Sequence, residues 1–164
     1  MDLGYLKIKI DIKAEHDTLK KRYEYKRKEL KKEEIKRIFD GFREFFKTDG
    51  HFKFKENEHS IAAEYRDHAI KLDIDVYKNV DSPDFEIIGV IKTYEKDTFE
   101  FVAEGVCNKE MTLQPAEADE NEKLVMESKF YQDFLDGEIE YDFIYRITGR
   151  EGEYESMQAL MVAL

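Results

Sequence analysis

Tryptophan is absent from this chain, cysteine occurs once, proline twice and glycine eight times in 164 residues. The lone Cys107 excludes an intramolecular disulfide framework and any multi-cysteine metal site, and it fits a reducing compartment. So few glycines leave little material for a phosphate-cradling loop, and no Walker A run, G-x-G-x-x-G turn or G-x-S-x-G elbow is present. No apolar run approaches the roughly 18 residues that a membrane span requires. The segment MDLGYLKIKIDIK alternates charged with apolar residues, where a secretory leader would be continuously apolar. These absences predict a cytoplasmic protein with no cofactor and no membrane partner.

Positive charge is scarce in the second half. Residues 81–164 carry 7 Lys+Arg against 21 Asp+Glu, and residues 1–80 carry 20 against 17, so the net −11 is the sum of −14 and +3. Overall acidity disfavours non-specific nucleic-acid binding, which depends on clustered cations. With 41% hydrophobic and 40% charged residues the chain is globular with a densely charged surface, and its length predicts a single domain over 1–164.

The segment Lys32–Lys47 is the strongest local signal. At about 100° per residue, Ile35, Ile38, Phe39, Phe42 and Phe46 share one arc, opposite Arg37, Asp40, Arg43 and Glu44. This predicts an amphipathic helix over about 31–47 whose aromatic stripe needs a broad apolar partner. Residues 5–13 alternate instead, with Leu6, Ile8, Ile10 and Ile12 on one face, and read as a half-buried strand. Leu19, Tyr23 and Leu30 would lie opposite the Ile35–Phe46 stripe in one continuous helix. A β-hairpin that joins the first strand through the turn Glu15-His16-Asp17 to a second strand within 18–31, followed by a new helix start near Lys31, avoids burying two opposite faces.

Thr48-Asp49-Gly50 stops that helix, and short alternating runs follow at 51–55, 60–65, 68–77, 85–94 and 98–106. Residues 107–118 read as a loop. A second helix is expected over 119–136, with Asp119 and Glu122 at capping-box spacing. A strand over 138–148 places Ile139, Tyr141, Phe143, Tyr145 and Ile147 inward, and the tail carries Tyr154, Met157, Leu160, Met161 and Leu164 on one helical face. The expected fold is α+β, a curved and mainly antiparallel sheet with one or two amphipathic helices packed across it.

No motif marks a catalytic residue. His51, His59 and His68 lie among short strands near Glu56, Glu58 and Glu64 and are the weak metal-ligating candidates; none has a recognised ligand spacing. Acidic pairs such as Asp73/Asp75 and Glu138/Glu140 fit the solvated face of a strand better than an acid–base site. Lys20, Lys21, Arg22, Tyr23, Tyr25 and Arg27 are the candidate partner-binding residues. Cations interleaved with aromatics can hold nucleic acid, but a lysine-guarded edge strand accounts for them better. The same strip could face the acidic half of another copy, a contact weakened by salt.

These features point first to a small binding or interaction protein without catalytic chemistry, its partner a protein or another copy. One alternative is a carrier or enzyme with an apolar cavity between helix and sheet, walled by Phe39, Phe42, Phe46, Tyr141, Phe143 and Tyr145. Another is an acidic surface that captures a basic partner or mimics nucleic acid.

Overall fold

The structure, a computed structural model, describes residues 1–109 and 119–164. Ten elements follow one another: α1 (Leu3–Lys47), β1 (Lys53–Glu56), β2 (Ser60–Tyr65), β3 (His68–Asp73), α2 (Val76–Asp81), β4 (Glu86–Lys92), β5 (Thr98–Cys107), α3 (Glu120–Leu135), β6 (Tyr141–Ile147) and α4 (Met157–Ala163). The six strands form one open antiparallel sheet in the order β1-β2-β3-β4-β5-β6. The α+β class and the antiparallel sheet are those the periodicity predicts.

The first third of the chain corrects the sequence reading. Residues 5–13 are not a strand and 18–31 are not a hairpin; both belong to α1, a single helix of 45 residues. The Asp2 carboxylate caps its first turn, accepting from the Gly4 N–H at 2.9 Å. A long run of Lys, Glu and Arg then favours helix at nearly every surface position. The strand expected over 68–77 is also cut short, because Asp75 caps α2 by accepting from the Lys78 N–H at 3.1 Å.

The phase conflict that argued against one helix is real, and the fold accommodates it. The chain forms two compact units, one from Met1–Arg27 with Cys107–Tyr141, the other from Lys28–Val106 with Asp142–Leu164. Leu19 and Tyr23 have their partners in the first unit and the Ile35–Phe46 stripe has its partners in the second, so no single partner has to cover both.

In the first unit α3 lies along α1, and the two run parallel. His16 meets Glu127, Tyr23 stacks on Tyr131 with ring centroids 4.8 Å apart, and the Lys26 ammonium reaches the Leu135 carbonyl at 3.5 Å. Asp119 caps α3 as its spacing predicts, accepting from the Glu122 N–H at 2.8 Å. The expected loop over 107–118 lies, beyond Lys109, outside the described residues.

In the second unit the Ile35–Phe46 stripe is buried as expected, with Ile38 and Phe42 fully enclosed. Phe46 packs against Phe42 and Phe52. The sheet contributes Ile61, Leu72, Ile87, Ile91 and Phe101 to the same core. The tail folds into α4 and buries Met157, Leu160 and Met161, with Met157 seated over Gly41 so closely that a Cβ there would come within 3.1 Å.

Gly89 serves a similar purpose in β4: a Cβ would meet the Phe101 ring at 2.5 Å. Beyond the end of β3, Asn79 takes over as the partner of β4. It accepts from the Ile88 N–H at 2.9 Å and donates to the Ile88 carbonyl at 3.0 Å. The buried Lys31 ammonium donates to the carbonyls of Asn79, at 2.7 Å, and Ser82, at 3.0 Å, which closes the end of α2.

Candidate functional site

Two buried polar clusters have the residue types of catalytic machinery. In the first unit His16 is buried, and its Nε2 lies 2.6 Å from the Glu127 carboxylate. Its Nδ1 faces Asp17 at 3.7 Å. Both ring nitrogens thus address carboxylates, and the pair pins α1 to α3. Burial raises the ionisation of Tyr131 above the ordinary tyrosine range, and the nearby Glu127 charge adds to it. Burial likewise raises Tyr23, partly offset by the Arg27 cation lying over its ring.

In the second unit the Tyr145 hydroxyl donates to Glu34, a buried carboxylate that also accepts from Arg37 at 3.1 Å. Burial raises Tyr145 strongly, with the Glu34 hydrogen bond and charge pushing the same way. A tyrosine held protonated on a carboxylate serves as a core fastening, and Glu34 gains an exposed countercharge in Arg37.

The expected cavity residues take distinct places. Phe42, Phe46, Phe143 and Tyr145 are buried, and Phe39 and Tyr141 are half-buried. Tyr141 stacks on Phe134 in the first unit, while Phe143 meets Phe85 in the second. An apolar cleft of about 280 Å³ opens elsewhere in the second unit, lined by Phe52, Tyr65, Ile70 and Tyr94. The histidines each find a local partner: His51 binds Asp49 at 2.6 Å, His59 accepts from the Val76 N–H at 3.1 Å, and His68 lies edge-on to Tyr94. Among the described residues no group of three or more His, Cys, Asp or Glu could hold a metal ion.

The basic strip is helical, so its members point in different directions. Lys20, Lys21, Arg22 and Tyr25 are exposed; Tyr23 faces α3 and belongs to that unit's core, with Arg27 beside it.

The most unusual surface lies on the first two turns of α1. Leu3, Tyr5, Leu6, Ile8 and Ile10 are 71, 56, 37, 57 and 56% exposed. At about 100° per residue they form two flanks, Tyr5 and Ile8 on one and Leu3, Leu6 and Ile10 on the other. The Tyr5/Ile8 flank continues into Ile12, Leu19 and Tyr23, the face that α3 covers further along. A groove of about 290 Å³ runs where that cover begins, between Ile12 and Leu19 of α1 and Val125 and Ser128 of α3. His16, Glu127 and Ser128 escaped the sequence reading, although His16, Leu19 and Tyr23 carry helical spacing that a helix assignment would have exposed.

Comparison with protein families, curated proteins and solved structures finds no match. Among the described residues no helix is long and apolar enough to cross a membrane, α1 included.

Proposed function

We propose that this is a binding protein that acts through a protein partner, without chemistry of its own, and that the first two turns of α1 are the contact element. The observation that carries the reading is the concentration of exposed large apolar side chains at Leu3, Tyr5, Leu6, Ile8 and Ile10. Single apolar residues are ordinary on a surface, but five within eight residues of one helix, gathered on two flanks, exceed that background and are of the kind that marks interaction sites. Two apolar flanks on one helix are a poor match to a membrane surface, which covers a single broad face. They suit neighbouring helices. The buried clusters support the same reading, because His16–Glu127 and Tyr145–Glu34 hold elements together.

Photo-crosslinking tests it. A photoactivatable residue at Tyr5 or Leu6 should give protein adducts in cells, whereas one at the equally exposed Tyr77 of the second unit should not. Equal labelling at all three positions would mean that the patch has no partner.

A further inference from the structure

We propose that the partner is a second copy of this chain, with the first turns of α1 from each copy lying in the α1/α3 groove of the other. This rests on the reading that those turns are a contact element, and it names their occupant.

Continuity supplies the first argument. Tyr5 and Ile8 extend the stripe that α3 already covers at Leu19 and Tyr23, and Ile12 sits half-exposed at the boundary. A pair of helices can shield only one seam, and α1 and α3 are the helices of this unit among the described residues, which leaves apolar surface that a four-helix arrangement of two copies encloses.

The groove supplies the second. It opens between Ile12 and Leu19 of α1 and Val125 and Ser128 of α3, where the apolar stripe passes under its cover. With the two α1 helices antiparallel and crossing near Ile12, Tyr5 of one copy comes level with Leu19 of the other. The His16–Glu127 and Tyr23–Tyr131 contacts place that level beside Ser128.

Charge supplies the third. Residues 1–14 carry Lys7, Lys9 and Lys13 against Asp2 and Asp11, a net +1. Over α3, Lys123 and Lys129 against Glu120, Glu122, Glu127 and Asp133 give −2, the opposite sign.

The test is native mass spectrometry and light scattering on the full chain as a function of concentration. The wild type should be dimeric. Ile8→Glu and Val125→Glu should each weaken the dimer by about a hundredfold or more, since each would bury an unpaired carboxylate. Ile10→Glu, on the opposite flank at almost the same exposure, should leave it intact. All three sites are solvent-facing in the single copy, so unchanged far-UV dichroism will show that the fold survives.

A monomeric wild type overturns the proposal, as does a dimer indifferent to Ile8→Glu and Val125→Glu, or one broken by Ile10→Glu alone. A monomer that sediments with anionic vesicles also overturns it, in favour of a lipid surface. A monomer whose Tyr5 and Leu6 probes still crosslink to another protein refutes the second copy and leaves the contact element standing.

Discussion

Replacing Asn79 by alanine should destabilise the protein by about 3 kcal/mol, from three hydrogen bonds at about 1 kcal/mol net each. Its side chain is buried, donates to the Asp75 and Ile88 carbonyls at 2.9 and 3.0 Å, and accepts from the Ile88 N–H at 2.9 Å. β3 pairs with β4 only from Lys71 to Asp73, so at Ile88 Asn79 stands where a neighbouring strand would be. Alanine leaves that edge of β4 without its partner and removes one tie between α2 and the sheet. For a chain of this size the melting temperature should fall by roughly 6–12 °C. Urea unfolding followed by dichroism gives the free energy, and amide exchange locates it. The Ile88 amide should lose more protection than Ile91, whose strand position is paired with Leu72. A loss below about 1 kcal/mol, or equal acceleration at Ile88 and Ile91, would refute the claim that a single side chain substitutes for a strand.

Tyr145→Phe should cost about 2 kcal/mol, because it removes a hydrogen bond to a buried carboxylate. It should also alter the alkaline limb. The folded state holds the Tyr145 proton more tightly than the unfolded chain, so its contribution is complete below the ordinary tyrosine range near pH 10 and is lost as pH rises above it. Denaturant midpoints between neutral and alkaline pH should therefore fall less steeply in the variant, and parallel curves would contradict this. Gly89→Ala should destabilise by about 1–3 kcal/mol through overpacking against Phe101; unchanged thermal stability would show that the ring can move aside.

The second half of the fold was legible because its signals were local. Alternation at 98–106 gave β5, the Asp119–Glu122 spacing gave the start of α3, and the Met157–Leu160–Met161 pattern gave α4. The first third failed for two physical reasons. Residues 5–13 carry a period-two pattern and β-branched Ile8, Ile10 and Ile12, yet they extend a long helix that is already nucleated downstream. At Leu19 and Tyr23 the phase argument assumed one partner for the whole helix, whereas α3 covers these residues in the first unit and the Ile35–Phe46 stripe is buried separately in the second. That same alternation explains the exposed flanks: residues two apart, folded as helix, fall on opposite sides. The exposed apolar surface was thus written in the sequence as a strand signal, and it became visible only once the segment was seen to be helical. Asn79, Lys31 and His16 were invisible, since their roles depend on backbone ends and side chains far away in the chain.

The ordering of α1 and α3 along the chain carries a consequence for biosynthesis. His16 and its partner Glu127 are 111 residues apart, so the Leu19/Tyr23 stripe leaves the ribosome long before the helix that covers it. At about 5–20 residues per second that interval lasts roughly 5–20 s. Throughout it the nascent helix displays both the stripe and the apolar flanks ahead of it, in reach of trigger-type chaperones and of other nascent copies on the same message. A slow step placed between Cys107 and Asp119 would lengthen this window.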